Sequence, residues 1–359
     1  MRGQVDPQAE MFSYFSPESR VPADHLLRSI KAHTDRVLEQ LSGELDALYA
    51  ETGRPSIPPE RLLKGQLLIA LYSVRSDRLF CQMLDYNILF RWFLDMSLED
   101  PGLDQSNFTR LRERLVNEDL AQRFFDAIVK LARKEGLLSS EHLTVDGTLI
   151  EAWAGQKSFK PKDGPPPPSD GRGGVDFRGT KRTNDTHAST SDPQALSARK
   201  GPGKEAKLCF GGHALMENRN GLCVDIRVSS VLEGETAAAA QLLKRQARKR
   251  LKPTSLGGDK GYHSKAFVDF LRRRGIRPHI AQIEGRNTPG LDARTTRHES
   301  YWVSQRKRKR VEEIFGWMKS WGGLRRTRFR GVARVQLHAH FVGAAYNLLR
   351  LSRLRPLPG

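Results

Sequence analysis

With 359 residues and a net charge of +19, from 60 Lys and Arg against 41 Asp and Glu, the chain has room for two or three domains and should seek a polyanion. Its three cysteines, Cys81, Cys209 and Cys223, lack metal-finger spacing and cannot build a disulfide framework, which points to a reducing interior. No leading apolar segment resembles a signal peptide and no run of roughly 18 apolar residues could span a membrane, so a soluble, cytoplasmic protein is expected.

The first 138 residues read as a helical domain. "DHLLRSIKAHTDRVLEQL" and "PPERLLKGQLLIALYSV" repeat apolar residues at three- and four-residue spacing, and Pro58 and Pro59 suit the first turn of the second. Ser76 and Ser106 are the expected N-caps of "DRLFCQML" and "NFTRLRERL".

From residue 139 the texture changes to an α/β domain that runs to 350. "HLTVDGTLI" alternates, with Leu143 and Val145 on one face and Thr144, Asp146 and Thr148 on the other. Residues 157–204, with "KPKDGPPPPSDGRGG", are too poor in apolar residues to be expected to order, and "THAST" (186–190) reads as loop. "KLCFGGHALME" and "LCVDIRVSSV" follow as strands, and Asn220-Gly221 between them predicts a type I′ hairpin turn. An Ala-rich helix (234–250), the strand "TSLGGDKGY", a helix (264–274), the strand "RPHIA" and a basic helix complete the domain. That order matches a ribonuclease-H-like mixed sheet flanked by helices. Residues 351–359 remain as a short basic tail.

The charge excess is concentrated at the C-terminal end, where residues 301–359 carry 14 Lys and Arg against two acids, Glu312 and Glu313. A nucleic acid is the expected partner, because phosphate neutralisation releases counterions. At about 100° per residue, Val311, Ile314, Phe315 and Met318 form a core-facing stripe. Glu312 then falls on the flank of that stripe, at about 100° from Val311, with Gln305, Arg308, Gly316 and Lys319, while Glu313 points to solvent at about 200°. Helix pairing of Arg308 with Glu312 and of Lys309 with Glu313 is the ordinary alternative.

Asp146 before Gly147 and Asp259 before "KGY" each read alone as turn residues. Two strand-end aspartates with a glutamate on a late helix, in one basic α/β domain, are instead what phosphodiester chemistry requires. Two divalent ions about 3.5–4 Å apart need bridging carboxylates, and oxygen ligands select Mg²⁺ or Mn²⁺ over zinc. His338 and His340 have no partner cysteines and are not expected to bind zinc.

"TVDGT", "GGDKGY" and "RKRVEEIFGWMK" resemble the DDE transposases of bacterial insertion sequences, in the branch marked Y-x2-R-x3-E-x6-K. Arg308, Glu312 and Lys319 match that spacing, and Gln305 stands at the tyrosine position. Glu313 cannot match, since six residues beyond it lies Ser320. The resemblance covers roughly 140–350, and the helical region also resembles those that precede such cores. It implies Asp146, Asp259 and Glu312 as catalytic metal ligands, and Arg308 and Lys319 as grips on the element end. Lys260, Arg306, Arg325, Arg326 and Arg328 extend the expected DNA track, with Trp317 and Trp321 read as core more than as base-stacking platforms. A homodimer acting on terminal inverted repeats and target DNA, near the bacterial nucleoid, is implied as well. The alternatives are a metal-dependent nuclease that does not join ends and an inactive DNA-binding derivative.

Overall fold

The apolar spacing of the first third becomes α1 (Pro17–Arg20), α2 (Leu26–Asp46), α3 (Pro59–Leu71), α4 (Asp77–Tyr86), α5 (Ile88–Phe93), α6 (Gln105–Asn117) and α7 (Leu120–Lys134). The computed structural model describes residues 15–47, 56–117, 119–162, 182–283, 285, 289 and 291–356. Pro59 opens α3, and Ser76 caps α4 by accepting from the Leu79 N–H at 3.0 Å. The start of α6 differs from expectation. Asp104, not Ser106, accepts from the Asn107 N–H at 2.8 Å, because a carboxylate is the stronger acceptor at the positive end of a helix.

The sheet begins with β1 (His142–Glu151). Then β2 (Phe159–Pro161) and β3 (His187–Ser189) pair as a small separate ribbon, while β4 (Leu196–Ala198) joins the sheet at β5 (Lys207–Glu217). The stretch expected to lack order is therefore folded where it is described, and "THAST" lies largely in β3. Phe159 stacks on His187 at 5.4 Å. Asp192 and Gln194 accept from the backbone of Gly331 and Val332 at 3.0 and 2.7 Å. A few anchoring side chains hold a segment whose average composition is polar. The proline run, within 163–181, lies outside the described residues.

β5 turns back into β6 (Cys223–Ser229), the predicted hairpin, but not through a type I′ turn. That turn needs two positive φ angles, whereas only Gly221 has one, at 68°. The loop is longer than two residues, with the Glu217 N–H donating to Leu222 O at 2.8 Å. Next come α8 (Glu235–Arg248), β7 (Ser255–Gly258), α9 (Lys265–Arg273) and β8 (Arg277–Ile280). β1 lies antiparallel to β5 and parallel to β7, which is parallel to β8, while β6 and β4 both lie against β5. Among β1, β5, β6, β7 and β8 the lateral order is third, second, first, fourth, fifth, as in a ribonuclease-H-like core.

After α10 (Ala293–Thr296), the expected single basic helix is two: α11 (Glu299–Lys307) and α12 (Val311–Ser320), joined by a 3₁₀ turn over 308–310. The last helix, α13 (Val332–Leu354), runs past the expected domain end at 350 and packs on α2, α3, α7 and β6. One continuous core therefore crosses the boundary expected near 138. Among the described residues, no helix is long and apolar enough to cross a membrane.

Buried Asn347 fastens α13 to β6: its Oδ1 accepts from the Cys223 N–H and its Nδ2 donates to Cys223 O, both at 2.8 Å. Asn347→Leu should strand two buried backbone groups and cost about 2–4 kcal/mol. Urea denaturation checks this, and a loss below about 0.5 kcal/mol would show that the contact is dispensable.

Candidate active site

Parallel pairing sets Leu143 beside Leu256 and Thr144 beside Gly257. Two residues further along each chain stand Asp146 and Asp259. One register thus brings two carboxylates to the same place on strands about 4.8 Å apart. Asp146 is not at a strand end: β1 continues to Glu151 against β5, with Gly147 opposite His213. What ends at this point is β7, so Asp146 lies where the sheet opens.

Asp146 accepts from the Gly147 N–H at 2.8 Å. Asp259 accepts from the Gly261 N–H at 2.8 Å and caps the 3₁₀ turn 260–262. Burial pushes the Asp146 carboxyl up to about 6. Repulsion from Asp259 and Glu235 adds to this, while the Gly147 N–H and Arg308 oppose it. Glu235 itself is raised by burial and by Asp259. Two aspartates and a glutamate thus act on one another electrostatically.

The cations arrive from the other side. The Lys319 ammonium donates to the Thr148 hydroxyl, two residues beyond Asp146 on the same face of β1. Arg308 donates to Gln305 Oε1 at 3.1 Å, and Gln305 Nε2 donates to His279 O at 2.6 Å. Gln305 therefore ties Arg308 to β8 and fixes the charge that acts on Asp146.

Glu312 is exposed in the first turn of α12, between these two cations in sequence. Its stripe neighbours Val311, Ile314, Phe315 and Met318 are buried as the wheel requires. The 3₁₀ turn resets the wheel upstream, and among the described residues neither intrahelical pair of the ordinary alternative forms. Glu313 pairs instead with Arg350 of α13 at 3.1 Å. Asp146 and Asp259 are brought together, and Glu312 is not closed upon them. Among the described residues, no three His, Cys, Asp or Glu side chains form a ready metal cluster.

Of the expected DNA track, Lys260, Arg306, Arg325 and Arg326 are exposed. Arg328 stands apart from them. It turns inward to Asp77 at 3.0 Å, beside Arg112, and burial lowers its pKa. Trp317 packs edge-on against Tyr346 at 5.9 Å, as core, but Trp321 is 58% exposed. Buried His263 accepts from the Ile283 N–H at 2.9 Å. His338 and His340 are buried and hydrogen-bonded, and burial lowers both to about 3.

Sequence reasoning missed Glu235. An acid in the first turn of a helix is the ordinary complement of the helix dipole, so nothing local marks it.

An all-carboxylate donor set suits a hard divalent cation, and Gly316 leaves open space beside Glu312. Residues 140–348 match the family model described as a transposase DDE domain, and residues 15–114 match one described as a transposase domain. No curated protein matches. Among solved structures, the chain is similar to a piggyBac transposase synaptic complex with hairpin DNA, at 11% identity over 95% of this chain and 78% of that one, TM-score 0.40. It is also similar to a pre-cleavage Mos1 transpososome, at 11% identity over 89% and 85%, TM-score 0.20. Both scores fall below 0.5, and membership of a family stands on the sequence matches alone.

The raised carboxyl makes a stability prediction. A folded-state pKa near 6 against an ordinary 3.8 means that ionised Asp146 opposes folding. The cost is absent below about pH 4 and complete above about pH 6. In metal-free protein, Asp146→Asn should raise stability by about 1–3 kcal/mol at pH 8 and leave it unchanged at pH 4. Thermal melts at both pH values measure this, and a gain confined to low pH would contradict it.

Proposed function

The chain belongs to the DDE transposase family, and we propose that it cuts the ends of a mobile DNA element and joins the freed 3′-hydroxyl to target DNA. The observation that carries this reading is Asp146 on β1 beside Asp259, which directly follows the parallel strand β7, with Arg308 acting on Asp146 and Lys319 bound to Thr148 on β1. Asp146, Asp259 and Glu312 are the residues to hold divalent metal, Mg²⁺ or Mn²⁺, in one or two sites. Bound metal supplies activation of the attacking oxygen and stabilisation of the leaving one.

The chain's own part is positioning. Arg308, fixed by Gln305, and Lys319, resting on Thr148, hold phosphate oxygens beside the acids. Their charges offset the repulsion between phosphate and carboxylates that would otherwise exclude substrate. Exposed Lys260, Arg306, Arg325 and Arg326 carry the duplex away from the cut by backbone contacts, which fix register without reading sequence. Arg328 has no part in this track, since its guanidinium is committed to Asp77. Two element ends must be joined in one event, so a homodimer on paired terminal inverted repeats is the working assembly, on chromosomal DNA in the bacterial cytoplasm.

The reaction is tested with a labelled element end, a supercoiled target and Mg²⁺. Both cut and joined products are expected, and cutting that never yields joined product would reduce the protein to a nuclease.

The adjacent glutamates separate function from helix chemistry. Glu312→Gln should lower cleavage by about two orders of magnitude or more while DNA binding persists, because only a charged oxygen ligand is lost. Glu313→Gln breaks an exposed pair with Arg350, worth about 0.3–0.5 kcal/mol, and should cut almost normally. Gel assays of cleavage beside mobility shifts decide, and equal loss in both variants would mean that Glu312 is not the third acid.

Phosphate contacts should also impose a steep salt dependence. Arg325→Ala and Arg326→Ala should each reduce the slope of log K against log [salt] by about one, whereas Arg328→Ala should leave the slope unchanged. Fluorescence anisotropy on the element end measures all three.

A further inference from the structure

We propose that Glu235, at the start of α8, is a further ligand of the divalent cation, paired with Asp259, and that His213 holds the water that cation carries. This rests on the metal-site reading above and adds two residues to it.

The geometry around two glycines carries the argument. A Cβ built on Gly261 would lie 2.6 Å from Glu235 Oε2 and 3.0 Å from Asp259 Oδ1. One built on Gly147 would lie 3.2 Å from Glu235 Oε1 and 3.3 Å from His213 Nδ1. The Glu235 carboxylate thus lies over the backbone between the residue after Asp146 and the turn after Asp259. A side chain at Gly261 would oblige the Glu235 carboxylate to shift. Dipole complementarity explains an acid at a helix start, but not one aimed at two other acids at an energetic cost. Glu233, two residues earlier, takes the ordinary course and pairs with Arg227 at 2.9 Å.

His213 is an independent sign of a ligand. It is 5% exposed, and its Nδ1 has no hydrogen-bond partner. His213 Nε2 lies 3.2 Å from the Ser229 hydroxyl, which lies 3.2 Å from Ser230 O; where the hydroxyl proton goes to Ser230 O, Nε2 is the donor to Ser229. In that tautomer Nδ1 carries the lone pair, and a lone pair and a carboxylate converging on one spot call for a donor between them. Water on a cation held by Glu235 and Asp259 would be such a donor, and outer groups that hydrogen-bond to a metal's ligands tune its binding.

The test is Mn²⁺ binding by the full chain, read from the loss of the free-ion electron paramagnetic resonance signal. Asp259→Asn is expected to remove binding. Glu235→Gln should weaken it about tenfold or more, and Glu233→Gln should leave it unchanged. His213→Gln, which keeps bulk but removes the imidazole, should weaken it less than Glu235→Gln. Thermal stability without metal should not fall in Glu235→Gln, since repulsion from Asp259 is relieved; a fall would mark a structural acid. Wild-type affinity in Glu235→Gln, with binding lost in Asp259→Asn, would overturn this inference and leave the metal site standing. No protein-bound Mn²⁺ in the unaltered chain, or no loss in Asp259→Asn, would overturn both.

Discussion

The parallel pairing of β1 with β7 is the constraint on which the rest depends. Side chains alternate across a sheet, so a slip of one residue would send Asp146 and Asp259 to opposite faces. The register is held from both sides. Leu143, Val145 and Leu256 are fully buried beneath it. On the other face, His142 joins three elements, with Nδ1 at 2.9 Å from the Ser255 hydroxyl on β7 and Nε2 at 2.8 Å from the Ser304 hydroxyl on α11. Gly257 leaves room for this: a Cβ there would approach Thr144 Oγ1 at 3.1 Å and Ser304 Oγ at 3.4 Å. The contact that aligns the two acidic strands also fixes the helix leading to Arg308.

A site of this kind stores unfavourable electrostatics. Asp146 and Glu235 lie where burial and repulsion from Asp259 oppose their ionisation, and the fold accepts that because hydrophobic packing elsewhere is extensive. Cations complete the balance, but not all cations are available for it. Arg112 and Arg328 neutralise buried Asp77, and Arg91 is spent on the carbonyls of Leu84 and Ser97. Net charge counts these residues with the exposed ones. A basic composition therefore points to a polyanion while overstating the surface that meets it.

α13 unites the two halves of the molecule. It is apolar or hydrogen-bonded around most of its circumference, with His338, His340 and Asn347 each satisfied in the interior. One face lies against the N-terminal helices and another against β6. The helical region and the sheet therefore share one core.

Local chemistry was legible in the sequence. Period-two alternation marked β1, proline and serine marked helix starts, and the Val311–Met318 stripe set the inward face of α12, which placed Glu312 and Glu313 on different sides. The resemblance of "RKRVEEIFGWMK" to the family signature, not local pattern, grouped Arg308, Glu312 and Lys319 as a set. Tertiary structure decided what depends on residues far apart in the chain. Glu313 chose Arg350 over Lys309, Arg328 turned to Asp77 instead of solvent, and Glu235 came to lie beside Asp259, twenty-four residues away. Such pairings follow from how strands and helices pack, and no local pattern encodes them. The sequence determined which residues can carry the chemistry, because periodicity and residue type act over a few positions; only the sheet register decided which of them meet.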